Sequence, residues 1–574
     1  MNKEKVLALG ISIVLFVFNN LLISTILFIS KCSITKWNFL IATFLTLITY
    51  VIYMKKNNYK LLEKIVFPII LLIIIAGSIM FSTLLYDNSW DGASYHKTAI
   101  GELKNGWNPV YENIEDFNKS ENNKIKLTNS HELWANHYAK AYWIFAANAY
   151  ALTNNIESGK MLQIVTIIAT FLISYSLINE KLKKTYSIII SLLLAFNPVM
   201  IYQIATFYND GLLGNYVIIL LILLLSIFDN PEKNMKLEKW FLYFLVLSIL
   251  INIKFTGFAY AGIYSLLFYI YSFLSKEKRQ LILKNMTITA AVSLLIGVGL
   301  IGGSSYIKNT IDHHHPFYPL YGKDKVDIME AVTPKGLYDM NRFKRFALTN
   351  FSTSESATEG IYKIKIPFTF KVNELQTYKY SDVTIEGYGV VFGGILIFSI
   401  IVGIITLIKA YKQKQTLANY LIVIGGMLLI IIIMKESWWA RYFPQFYLVP
   451  FIVILMLLKT KNKKSHIMFV NIILMLLIIN SYLIINPAFE EIRYQIKIIN
   501  KQNNYIKNLA EDRKIKIVTA SRYSPTPMFD GLVYNIYDNH KNIEVIEYTE
   551  EIKGYEKYEY FGDSPLINIF IEKN

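Results

Sequence analysis

The sequence predicts an all-α polytopic membrane protein with about thirteen transmembrane helices and a small C-terminal extracytoplasmic α/β domain. Three observations predict it. Hydrophobic residues make up 54% of the chain, and they gather into runs long enough to cross a bilayer. Lysines crowd into the short loops between those runs, as the positive-inside rule expects. Residues 486–574 then change character, with short stretches of β-branched and aromatic residues. The net charge of +16 follows from the loop lysines and does not signal nucleic acid. A single cysteine, Cys32, excludes an intrachain disulfide, and there is no CxxC or Cys/His metal spacing.

Taken in order, the spans are residues 6–29, 37–53 and 65–85, then, after a long polar loop, 161–178, 186–203, 213–228, 240–253, 256–273 and 287–303. The last four are 389–410, 417–434, 443–458 and 467–485. The first run follows Lys3 and Lys5 but is too long for a signal-peptide core, so it reads as a retained span. Residues 240–253 and 256–273 are short and flank Lys254, so they form either two spans or one bent helix. Loop charge favours two. Lys55, Lys56, Lys60 and Lys64 mark one cytoplasmic loop, and Lys181, Lys183 and Lys184 mark another. Lys276, Lys278, Arg279 and Lys284, then Lys412 and Lys414, then Lys459, Lys461, Lys463 and Lys464 mark the rest. Two separate spans bring all of these to one side. The N-terminus is then cytoplasmic and the C-terminal domain extracytoplasmic.

The same parity sends residues 86–160, 204–212, 304–388, 435–442 and 486–574 outside, where a helical scaffold can position them. Within 486–574, residues 487–509 have helical spacing, and 516–519, 532–537, 544–548 and 566–571 read as strands. The polar run 115–126 reads as a flexible surface loop.

The first outer loop carries the densest chemistry. Asp87 and Asp91 follow directly on an apolar run, beside Tyr95, His96 and Trp107, in YDNSWDGASYHKTAIGELKNGW. A carboxylate kept ionised at a membrane surface needs a reason to be there. Asp91 serves either as the N-cap of a helix over 92–104 or as a base that accepts a proton from a hydroxyl nucleophile. His96 either assists or packs. Asp210, in FYNDGLLG, is a second acid at the outer end of a span, as a cap or as a partner facing Asp91. Two acids facing one site can bind a sugar, hold a divalent cation or divide acid and base roles. The complementary cations are Lys254, Arg441 and Lys140, which either snorkel to headgroups or neutralise a leaving phosphate. His137, in the WANHY run, and His315, in the triplet 313–315, are candidate sugar or acceptor contacts. Three adjacent histidines do not point one way, so a His-only metal site is not expected. No phosphate-binding Gly-rich loop, G-x-S-x-G or H-E-x-x-H motif is present, and nothing calls for a redox cofactor.

The arrangement of span, outer loop and acid resembles the GT-C superfamily of membrane glycosyltransferases, which use polyprenyl-phosphate-linked sugars. Protein O-mannosyltransferases and the lipid A aminoarabinose transferase belong to it. Asp91 stands at the family's acid position, Tyr95 and His96 follow, and Gly106–Trp107 closes the segment. The resemblance covers most of residues 65–485. It implies Asp91 as catalytic base, Asp210 as the acid of the second outer loop, and the NIKFTG and WWARYFP segments as outer-face loops. It also implies an inverting transfer from a lipid-linked donor to a cell-envelope glycan, lipid or protein. Two departures stand out: Gly92 follows the acid where many relatives carry Asp-Glu, and two spans precede the usual first one. They leave subfamily and metal use open. A polysaccharide polymerase or ligase acting on lipid-linked glycans is the nearest alternative. A transporter fits less well, since the spans are almost free of charge and no duplicated half is seen.

Overall fold

The computed structural model describes residues 3–229, 236–274, 279–329, 332–353, 362–460, 463–520, 527–562 and 566–573. Lys276, Lys278 and Lys461 of the basic loops lie outside these. The chain is mostly helical. Among the described residues, nine helices are long and apolar enough to cross a membrane, from Lys3–Ile29 to Ser465–Lys507. Lys184–Ala195, Ala418–Ile433 and Pro444–Lys459 are shorter apolar helices.

The helix Asp210–Asp229 is the axis of the bundle: every residue of its most apolar stretch is buried. The helices Leu61–Thr83, Phe255–Leu274 and Arg279–Leu294 lie outside it and turn Ile, Leu and Phe outward. The axial helix also defines two ends. At the Asp229 end, Asp229 pairs with Lys181 at 2.6 Å and with Lys459 at 2.7 Å. Lys236 pairs with Glu4 there at 2.7 Å, and Lys5 with Glu63. The N-terminus and several Lys-rich loops therefore share one end of the bundle. The Asp210 end holds the long polar segments.

Two expected spans have particular local structure. Leu237–Ile253 and Phe255–Leu274 are separate helices, because Lys254 is fully extended between them (φ −159°, ψ 151°). They fold back as a hairpin: the Tyr243 hydroxyl meets Ser265 at 2.7 Å, each residue equally far from Lys254 in sequence. The segment 186–203, expected as one span, is instead two helices, Lys184–Ala195 and Pro198–Gln203. Asn197 caps the second, its side chain accepting from the Met200 amide at 3.2 Å, and Pro198 starts it. Asn-Pro is a helix start signal, and here it overrides apolar continuity.

The run 115–126 lies at the surface, as expected, but has local structure and buried anchors. Ile114–Lys119 is helical, and Ile114, Phe117, Asn123 and Ile125 are buried.

The last helix, Lys463–Lys507, passes residue 485 without a break and carries Pro487 inside it. It leads to a four-stranded sheet of order β2-β1-β4-β3, formed by β1 Ile515–Val518, β2 Ile543–Val545, β3 Tyr555–Tyr560 and β4 Ile567–Glu572. β1 and β2 are parallel, and the other pairs are antiparallel. Residues 532–537, expected as a strand, lie in a helical unit, Asp530–Leu532 and Val533–Asn539. Its aromatic and β-branched residues fill an interface rather than a sheet face.

That unit docks on the first long loop. Asp530 Oδ1 accepts from the backbone amides of Thr128 and Asn129, both at 3.1 Å, and from the Thr128 hydroxyl at 2.9 Å. Asn535 meets both Lys97 and Glu157 at 2.8 Å. A Cβ on Gly531 would stand 2.6 Å from Lys97 Cβ and 2.7 Å from the Ala93 carbonyl. The C-terminal sheet domain thus braces the helical segment that begins at Asp91.

Candidate functional site

The candidate site is built on Arg441. Its guanidinium reaches three carboxylates from three separate segments: Nε to Asp210 at 2.8 Å, Nη2 to Asp91 at 3.1 Å and Nη1 to Asp382 at 3.1 Å. Lys254, at the turn of its hairpin, holds the other Asp210 oxygen at 2.6 Å. Distant parts of the chain meet here at the end of the bundle opposite the Lys-rich loops.

Each member has a reason to be where it is. The Trp438–Trp439 pair stacks at 5.2 Å, and the Trp439 indole donates to the Val383 carbonyl at 2.9 Å. This fixes Arg441 against the 381–388 segment. Gly387 permits that approach, since a Cβ there would lie 2.5 Å from Ala440 Cβ. Gln203 Nε2 links Asp210 Oδ2 and the Ser381 carbonyl, each at 3.3 Å, while its Oε1 accepts from Gly211 N at 2.9 Å. The rings of Tyr208 and Trp439 lie 4.3 and 5.0 Å from the guanidinium, and that of Tyr442 lies 4.2 Å from the Lys254 ammonium. Aromatic faces and carboxylates together surround both cations. Burial opposes the charge on Arg441, but Asp210, Asp382 and Asp91 outweigh it and hold the guanidinium pKa above its ordinary value.

Exposure is graded across the cluster. The Asp210 side chain is 0% exposed and that of Arg441 7%, whereas Lys254 is 14%, Asp91 23% and Asp382 39% exposed. The deep pair is the foundation, and Asp91, Lys254 and Asp382 are the members that reach the surface. Asp91 is not spent as a helix cap: it has helical φ and ψ and makes no capping bond. Neither Lys254 nor Arg441 snorkels, since both are tied to Asp210. An ammonium has three donors, and Asp210 takes one of those on Lys254. The guanidinium occupies the space among the carboxylates that a cation would need. Among the described residues, no three Asp, Glu, His or Cys side chains are placed to hold a metal ion.

The other sequence candidates surround this centre. Asp87 is fully buried: Oδ1 accepts from Ser89 N and Oδ2 from Phe207 N, both at 2.8 Å. It stitches the first loop to the 204–210 segment. A Cβ on Gly92 would lie 1.8 Å from Asp87 Oδ2, so no side chain has room at the position after Asp91. His96 is buried, with Nδ1 accepting from the Trp143 indole at 2.7 Å. Burial pushes its pKa down to about 3, so it stands beside the cluster as a neutral imidazole. Tyr95 packs tilted against Trp134 and edge-on to Tyr138, and burial with the Asp91 charge raises its pKa. Trp107 is in the core, its indole donating to the Glu112 carbonyl at 3.2 Å.

Lys140 is buried away from the acids. Its ammonium donates to the carbonyls of Asn136 at 2.7 Å and Tyr138 at 3.0 Å, and to Ser305 Oγ at 3.1 Å. Burial pushes its pKa well down. His137 meets Asn309 at 2.8 Å and packs on His313 and Tyr318. The His315 ring nitrogen accepts from Phe317 N at 3.2 Å. Lys140 and His137 thus join the first loop to residues 304–320, and His315 bonds within that segment, rather than meeting Arg441.

Two features escaped the sequence reading. Asp382 lies in YSDVTIE, a polar stretch with no apolar run to flag it. The second is a buried ionic group behind Asp87, in which Glu157 pairs with Lys97 at 2.8 Å and with Lys160. Its residues are spread through polar loops, where nothing in composition signals burial.

Comparison with protein-family models, curated proteins and solved structures finds no match to this chain.

Proposed function

We propose that the chain is an integral-membrane glycosyltransferase of GT-C type, with about thirteen spans. It transfers a sugar from a polyprenyl-phosphate donor to a cell-envelope acceptor on the outer face, with inversion. The observation that carries this reading is the state of Asp91. Its carboxylate is free of any capping duty, partly exposed and paired with Arg441, which shares Asp210 with Lys254.

In this scheme the acceptor hydroxyl or amine loses its proton to an Asp91 oxygen as its lone pair attacks the anomeric carbon. The bond from that carbon to the phosphate oxygen breaks, and the electron pair leaves with the polyprenyl phosphate. Lys254 donates to the phosphate oxygens as that charge develops. Arg441 orients Asp91, and Asp210 fixes both cations. The outward apolar faces of the helices near the site offer the prenyl chain a lipid-like path.

The test is Asp91→Asn in the full chain, assayed for sugar transfer from lipid-linked donors in membranes. Loss of the base is expected to lower transfer by about 10²–10⁴-fold at unchanged protein level. Undiminished transfer at normal abundance would remove Asp91 from the mechanism.

A further inference from the structure

Residues 363–372, KIKIPFTFKV, show an unusual surface. Ile364 is 72% exposed, Ile366 73%, Phe368 43%, Phe370 37% and Val372 76%. Such a run of large apolar side chains in water would be costly, and exposed patches of this kind mark a contact surface. The stretch contains three lysines and no acid. Lys365 turns inward, pairing with Glu374 at 2.9 Å and with Glu386, so the loop is held in place from beneath.

Its position identifies the occupant. The Phe368 ring lies against Gly394, where a Cβ would stand 2.8 Å from it. Gly394 is in the first turn of Phe392–Lys412, a helix long and apolar enough to cross a membrane. Four of the exposed residues of that helix, Ile397, Ile401, Ile404 and Ile408, follow Gly394 at helical spacing on the same face, with Ile400 and Ile405 exposed beside them. Phe368 therefore extends an outward apolar stripe beyond the helix end, and the loop spreads it sideways. Lys363 precedes the apolar residues and Lys371 lies between Phe370 and Val372, the pattern of an element lying at the boundary of headgroups and acyl chains.

We propose that residues 363–372 are an interfacial loop seated in the outer leaflet against anionic headgroups. It is tied through Lys365–Glu386 to the strip of chain that carries Asp382. The outer rim of the candidate site is thereby fixed relative to the lipid surface from which a membrane-borne substrate arrives. The inference rests on the membrane placement in the proposed function but not on sugar transfer.

The test uses spin labels on the full chain in vesicles of phosphatidylethanolamine and phosphatidylglycerol. The single native cysteine is removed as Cys32→Ser, and labels are placed at Ile366→Cys or Phe370→Cys. Ile401→Cys serves as the mid-helix reference and Lys323→Cys as the aqueous one. Collision with oxygen is expected to exceed collision with a water-soluble nickel chelate at 366 and 370, as at 401. A nickel-dominated response like that of 323 overturns the proposal. So does shielding from both reagents, which would mean cover by a protein or a second copy. A nickel-dominated response at 401 itself overturns the membrane placement as well, and the transfer assay separately reads the enzymatic claim.

Discussion

At the scale of single residues, Arg441 decides whether the site exists. Its planar fork serves three carboxylates at once, which a lysine cannot do. In Arg441→Lys the ammonium can remain near Asp210 but cannot also orient Asp91 and Asp382. Leaving a fully buried carboxylate poorly compensated costs about 3–5 kcal/mol. We expect a lower thermal midpoint and a loss of transfer. An unchanged melting curve would show that Lys254 alone satisfies Asp210. The same physics explains what could be read in advance. Asp91, Asp210, Lys254 and Arg441 each interrupt or abut an apolar run, where a charge is expensive and therefore conspicuous. Asp382 sits among polar neighbours, so only the folded chain shows its part. Lys140 also interrupts an apolar neighbourhood, but it is satisfied by carbonyls, an arrangement that spacing cannot distinguish from ion pairing.

At the scale of elements, the C-terminal domain is a brace whose grip depends on pH. Burial pushes the carboxyl of Glu102, beneath Tyr534, up to about 7 and that of Asp530 up to about 6. In an undocked chain such groups titrate near 4. Between those limits the docked form binds protons that the released form does not. Docking therefore strengthens as pH falls through 7 and 6 and weakens as pH rises through them. Hydrogen exchange of the Val533–Asn539 helix, corrected for its intrinsic rate, should be slower at pH 5.5 than at pH 8. Glu102→Gln with Asp530→Asn should narrow the difference, the rest coming from Asp538, which accepts from Tyr150 and Ile156 and is pushed up to about 7 by burial, whereas equal protection in the unmodified chain at both pH values would contradict the account. The sequence showed that a mixed domain ends the chain but misassigned 532–537. Alternation of Val, Tyr and Ile suits a strand as well as an interfacial helix, and the docking partner decides between them.

At the scale of the whole molecule, the long apolar runs made the helical bundle legible, while Asn197–Pro198 and the Lys254 turn set its finer divisions. The bundle has a basic end and an acid-rich end, and the final helix links them. Its 45 residues span about 68 Å at 1.5 Å per residue, against about 30 Å for a bilayer core. The native Cys32 is exposed, and Asn108 and Tyr111 of the first long loop bond the Phe28 and Ile29 carbonyls close by. A membrane-impermeant maleimide should therefore label Cys32 on intact cells. A second cysteine at Lys412→Cys, in a Cys32→Ser background, should react only after permeabilisation; the reverse pattern would invert the topology. The Asp210 pairings also bear on biosynthesis. Lys254 follows Asp210 by 44 residues, but Arg441 follows by 231. At about 5–20 residues per second, a ribosome needs roughly 10–50 s to make that longer stretch. For all but the first 44 residues of that stretch the nascent chain has its lysine, and not yet its arginine, to chaperone an acid bound for a fully buried position.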